Sequence, residues 1–312
     1  MSDDHLRSAF VLVVTVRAFV SDDIFSDITK KIAEFHATSP ITNRLGDGAL
    51  EFSLSRNDDA LLRALREQFI GAGMDFNIVP GLARKKKLLL ADMDATLIVN
   101  ECIDELACAT NNEAQVRDVT ARTMAGEIEF CQSLKDRVAL LKGVATTVLK
   151  EVLDQRIKLS PGAEILGRTL AKHGVATAVV SGGFTYFTEN VAKMTGFGRT
   201  FSNTLEFKNG ALTGLIKEPV MGPEAKRAVL ETLCRENKLD PTQTLCVGDG
   251  ANDIPMLRAA GLGVAYRAKP GVGQNANASI KYADLTALLY LQGYHQAEFA
   301  APHNTVKLMR SA

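Results

Sequence analysis

Four short apolar runs, KLLLADMD, VATAVVSGG, TLCVGDG and GLGVAY, recur between residues 87 and 266 with helical patterns separating them. Runs that are apolar throughout suit strands buried on both faces, and strands separated by helices join in parallel. The pattern therefore implies an α/β fold with a doubly wound, Rossmann-like parallel sheet. The first three runs end in polar residues: Asp92 and Asp94, then Ser181-Gly182-Gly183, then Asp249-Gly250-Ala251-Asn252-Asp253. Open α/β sheets bind ligands outside the carboxyl ends of their strands, so these three ends are expected to meet at one crevice.

The rest of the chain is organised around that sheet. Residues 1–80 alternate strand and helix patterns in the order βαββαβ, which predicts a small α+β ferredoxin-like domain with helices on one face. PGLARKKK, Pro80 to Lys87, reads as a solvated connection, and the sheet domain spans 84–295. About eighty residues separate the first two apolar runs, far more than one crossover needs, and they are helical in pattern. They predict a helical cap insertion at about 99–155 over the carboxyl edge of the sheet, and residues 296–312 are a C-terminal tail.

Composition narrows the ligand. The 36 basic and 36 acidic residues balance, so no polyanion-binding surface is expected and the chain is read as binding neither nucleic acid nor membrane. A small molecule fits better. Five scattered cysteines (Cys102, Cys108, Cys131, Cys234, Cys246) form no CxxC pair and read as free thiols of a reducing, cytoplasmic compartment. The first residues, MSDDHLR, are acidic, and Arg17 cuts the apolar run after them, so neither a signal peptide nor a membrane span is expected.

A buried carboxylate without a partner costs several kcal/mol, roughly, so Asp92 and Asp94 need a cation, donors or water close by. Two residues apart at a strand end, their side chains can turn toward one point. One carboxylate can then attack phosphorus while the other moves protons. Clustered acids without cysteine or histidine favour a hard cation, magnesium before zinc. Ser-Gly-Gly before a helix suits an oxyanion, which backbone N–H groups and the hydroxyl can reach. Lys226, Glu101 and Arg137 read by themselves as ordinary surface charges, and Met124 and Phe130 as core at helical spacing.

DMDAT together with VVSGG, Lys226 and GDGANDIPM resembles the haloacid-dehalogenase superfamily, whose four motifs occur in this order. DMDATLIVNECIDELA, EFCQSLKDRVALLKG, AVVSGGF and VGDGANDIPML, within residues 84–292, are similar to the superfamily members that hydrolyse O-phospho-L-serine. The resemblance implies a phosphatase acting on that substrate in the last step of serine biosynthesis, with Asp92 as nucleophile and Asp94 as general acid and base. It implies Mg2+ held by Asp92, the Asp94 carbonyl and Asp249, with Asp253 and Asn252 completing or orienting the shell. Ser181, Gly182 and Lys226 would bind the phosphoryl group; Glu101 and Arg137 would bind the ammonium and carboxylate of the serine moiety. Met124 and Phe130 would shield the site from water, and Ala95 stands where serine is frequent, with no loss of activity expected.

Two other readings keep part of this chemistry: a phosphotransferase or phosphatase for another small ester, and a receiver-like signalling domain. The second lacks an acid two residues after its acceptor and a long cap. The N-terminal βαββαβ pattern more loosely resembles ACT-type amino-acid-binding modules, implying an amino-acid effector and a homodimer.

Overall fold

A computed structural model describes residues 9–37 and 40–301. The N-terminal segment runs β1 (Phe10–Val16), α1 (Asp22–Phe35), β2 (Thr42–Gly46), β3 (Ala49–Leu54), α2 (Asp59–Gln68) and β4 (Met74–Pro80). Its strands form an antiparallel sheet in the order β2-β3-β1-β4. Ser21 and Asp58 start the two helices by accepting the Ile24 and Leu61 N–H groups. Leu12, Val14, Leu50 and Phe52 pack one sheet face against Ile28, Ile32, Leu61 and Leu65 of the helices. Val11, Val13 and Val79 alternate with that set and join the core of the second sheet instead. The small sheet is therefore buried on both faces.

The connection at 81–87 is exposed at Leu82, Ala83, Lys85 and Lys87, as expected of a solvated linker, but two of its side chains are tied to the body of the protein. The Arg84 side chain, 9% exposed, pairs with Glu51 at 2.7 Å, while its Nε and Nη2 donate to Leu291 O and Tyr290 O. Lys86 Nζ donates to the Ala83 and Thr242 carbonyls. Backbone carbonyls left open at turns and a buried carboxylate supplied partners that no composition rule anticipates.

β5 (Leu88–Ala91) opens the second sheet. Four helices follow it: α3 (Cys102–Ala109), α4 (Glu113–Met124), α5 (Phe130–Ala139) and α6 (Thr146–Gln155). The chain continues through α7 (Ala163–Lys172), β6 (Ala176–Phe184), α8 (Thr185–Thr195) and β7 (Arg199–Asn203). β8 (Leu205–Lys208) and β9 (Ala211–Ile216) form a separate hairpin, unforeseen from the sequence, that packs on α5. α9 (Pro223–Asn237), β10 (Thr244–Gly248), α10 (Ile254–Ala259), β11 (Leu262–Tyr266), β12 (Ala278–Ile280) and α11 (Ala287–Leu291) complete it.

All six strands are parallel, in the order β12-β11-β10-β5-β6-β7. Leu89 and Ala91 face α7 and α8 through Leu166, Leu170 and Phe187; Leu88 and Leu90 face α9 and α10 through Leu230, Leu233 and Met256. Two-sided burial of this kind is what an uninterrupted apolar strand needs. It leaves only the strand ends for polar chemistry.

Candidate active site

β10, β5 and β6 are neighbours, so the three polar strand ends lie side by side. The Asp92 N–H donates to Val247 O at 2.9 Å, carrying the ladder one residue past β5 and setting Asp92 beside the β10 terminus. The chain then leaves the strand, with Asp94 at φ −63°, ψ 136° and Ala95 at φ 51°, ψ 7°. This break brings both carboxylates to the wall of one cavity of about 600 Å³.

Each carboxylate is held differently. Asp94 Oδ1 accepts the Cys102 N–H at the start of α3 at 2.9 Å, and Oδ2 lies 3.5 Å from Ser181 Oγ. A Cβ on Gly183 would come within 2.6 Å of Asp94 Oδ2, so the strand end needs glycine there. The Ser181 hydroxyl accepts the Gly183 N–H at 2.9 Å, and Asn203 Nδ2 donates to Gly182 O at 2.8 Å, fixing the end of β6. Asp92 Oδ1 is 2.9 Å from Lys226 Nζ, which also reaches Asp253 Oδ1 at 2.6 Å. Lys226, 1% exposed, is no surface charge: the first turn of α9 points it beneath the strand ends.

Behind the cavity wall lies a charge imbalance. Asp92, Asp249 and Asp253 are all buried and offer oxygens within 4.8 Å of one another. Asp253 Oδ2 also accepts the Gly250 N–H at 3.0 Å. Lys226 contacts two of the three acids, and among the described residues only the half-exposed Lys269 reaches Asp249, at 3.2 Å. An all-oxygen donor set, buried and short of positive charge, fits a hard divalent cation.

The titration shifts follow from this arrangement. Burial, with Asp253 and Asp249 nearby, pushes Asp92 well above the usual carboxylate range, and Lys226 only partly offsets it. Burial and the Glu101 charge raise Asp94 to about 7 against the pull of the Cys102 N–H. Burial lifts Asp249 to about 6, opposed by Lys269. Burial works against the Lys226 ammonium, but Asp253 and Asp92 outweigh it and hold the charge on.

The helical segment supplies further lining. Glu101, at the N-terminus of α3, and Arg137, in the last turn of α5, line the cavity together with Phe130 and Asn252. Burial lowers Arg137 while Asp104 and Glu101 raise it, a guanidinium set among acids. A Cβ on Gly182 would lie 3.3 Å from Phe130 Cζ, so the ring covers the end of β6. Met124 ends α4, and its side chain lies outside the described residues.

Sequence reasoning missed two participants. Asn203 bridges the β6 end to the Met221 N–H at 2.7 Å, and no local motif marks it. Lys269 joins Asp249 to Glu101. Its signal was present, because it closely follows the fourth apolar run and the other three runs end in functional residues.

The haloacid dehalogenase-like hydrolase family model matches residues 86–261, and the chain belongs to that class. The phosphoserine phosphatase of Archaeoglobus fulgidus is 40% identical over 245 residues, covering 77% of this chain and 71% of that one. A HAD family hydrolase of Salmonella enterica superposes with a TM-score of 0.81 at 30% identity, over 91% of this chain and 98% of the other. A phospho-aspartyl intermediate analogue of phosphoserine phosphatase superposes with a TM-score of 0.62 at 38% identity, over 66% and 98%. Within its class the chain belongs to the phosphoserine phosphatase family.

Proposed function

We propose that this chain hydrolyses O-phospho-L-serine to L-serine and phosphate through a phosphoaspartyl intermediate on Asp92. One observation carries the reading: two carboxylates two residues apart, Asp92 and Asp94, line one cavity together with Glu101 and Arg137. A zwitterionic amino acid needs an anion for its ammonium and a guanidinium fork for its carboxylate. A cavity of about 600 Å³ suits a small ligand.

In the first step an Asp92 oxygen attacks phosphorus while the bond to the serine oxygen breaks, and Asp94 gives its proton to that oxygen. Asp94, now a carboxylate, takes a proton from the water that attacks the acyl phosphate, releasing phosphate and restoring Asp92. A carboxyl near 7 can serve in both directions at neutral pH. Ser181, Gly182 and Lys226 receive the phosphoryl oxygens, with Lys226 kept charged by its two acids. Asp92, Asp249, Asp253 and the Asp94 carbonyl would hold Mg2+, with Asn252 beside them. When bound, the cation supplies positive charge against the phosphoryl oxygens. Phe130 covers the β6 end and keeps water from the intermediate.

The deciding assay is phosphate release from phosphorylated amino acids and sugars, with magnesium and with chelator. Phosphoserine is expected to lead and chelator to abolish release. A preference for sugars would remove Glu101 and Arg137 as amino-acid ligands.

Residues 1–80 belong to this reading as an ACT-like unit that takes an amino-acid effector and pairs in a homodimer. The βαββαβ order and sheet order β2-β3-β1-β4 support it. Serine-independent kinetics and a monomeric mass in solution would end it. Five free thiols support a cytoplasmic site of action.

A further inference from the structure

Lys269 belongs to none of the strand-end motifs, yet it touches two carboxylates of the site. Its N–H donates to Asp249 O at 2.9 Å, which ties the loop after β11 to the end of β10. Pro270 follows and favours an extended Lys269 backbone, and the buried Val272 pins the next turn. From this fixed base the side chain, half exposed, places Nζ 3.3 Å from Glu101 Oε1 and 3.2 Å from Asp249 Oδ2. Its ammonium thus lies against the carboxylate assigned above to the ammonium of the substrate.

We propose that Lys269 is a specificity residue: a resident ammonium that neutralises Glu101 until a substrate bearing its own ammonium displaces it, and remains there when the substrate has none. The inference rests on the assignment of Glu101 made above. An ion pair this exposed exchanges at little cost, so phosphoserine can displace the lysine. A phosphate ester without an amino group meets a neutralised Glu101 and is repelled less than a bare carboxylate would repel it. Lys269 therefore broadens the range of esters accepted.

The test compares kcat/KM for O-phospho-L-serine with that for the phosphate ester of 3-hydroxypropanoate, the same skeleton lacking the amino group, at saturating magnesium. In Lys269→Met the preference for phosphoserine should rise roughly threefold to fivefold, as Glu101 is left unpaired. Lys269→Arg, which keeps the charge, should keep the ratio of the two kcat/KM values near that of wild type. Effects relayed through Asp249 act on both esters alike and cancel in the ratio. Glu101→Gln should collapse the preference whatever stands at 269. An unchanged or falling ratio in Lys269→Met, with the collapse in Glu101→Gln retained, overturns the role of Lys269 alone. A preference that survives Glu101→Gln overturns the assignment beneath it.

Discussion

Two buried polar clusters hold this molecule together, and they are built to opposite rules. At the seam between the small sheet and the large one, each named polar group has its partner. Asp75 accepts the Lys281, Tyr282 and Ala283 N–H groups, Asn77 exchanges two hydrogen bonds with the Ser279 backbone, and Arg84 meets Glu51 and two carbonyls. Asn77 acts there as a surrogate peptide unit joined to β12. At the ends of β5, β6 and β10, by contrast, three buried acids crowd one buried lysine. A satisfied network fixes one arrangement of two units, whereas an under-neutralised one keeps affinity for charge that arrives from outside. Burial alone does not separate structural from functional polar groups; the balance of charges and hydrogen bonds does.

The widest contrast is expected from Asp92→Asn. Turnover should fall by at least about 10³-fold in a phosphate-release assay, because the nucleophile is gone. Its thermal midpoint should equal or exceed that of wild type in the absence of metal. A carboxyl whose folded pKa lies above its unfolded one costs stability at neutral pH, and the amide removes that cost. A folded variant with substantial activity would break the site half of the comparison.

Arg84→Met should do the reverse. It leaves Glu51 buried without its counter-charge and with only the Asn43 amide as donor, and a loss of about 3–5 kcal/mol in denaturant unfolding is expected, with kcat retained below the transition. Asn77→Ala sharpens the point with a smaller loss, about 1–3 kcal/mol, since it strands a donor and an acceptor of Ser279. If either seam variant lowered kcat as Asp92→Asn does, the two clusters would not be functionally separate.

The smallest effect is in pH. Asp94 must be protonated to serve the leaving oxygen, so kcat/KM should fall as pH rises above about 7, approaching tenfold per unit. The fall should be absent from the residual activity of Asp94→Asn. A profile flat through pH 9 would take the acid role from Asp94.

Legibility differed between residues for physical reasons. Asp92, Ser181 and Asp249 were readable because a strand buried on both faces admits polar residues only where it ends. Lys226 was not readable from its own segment, where helix spacing suggests a solvated face; only the family resemblance assigned it a role, and burial beneath the strand ends is a property of the α9 docking. The basic run at 85–87 does leave Lys85 and Lys87 exposed, but composition carries no record of the carbonyls that hold Lys86 or the carboxylate that meets Lys85. The β8–β9 hairpin was missed because its short strands carry a weak period.

By itself the sequence determined the parallel sheet, the helical segment between its first two strands and the identity of the acids at the strand ends, since these follow from patterns of burial along the chain. Only the tertiary structure decided that β10 lies beside β5, that one lysine is shared by Asp92 and Asp253, and that Lys269 spans Asp249 and Glu101. Local periodicity reports which side of an element is buried; it does not report which distant element buries it, and the charge balance of a site is set by those distant neighbours.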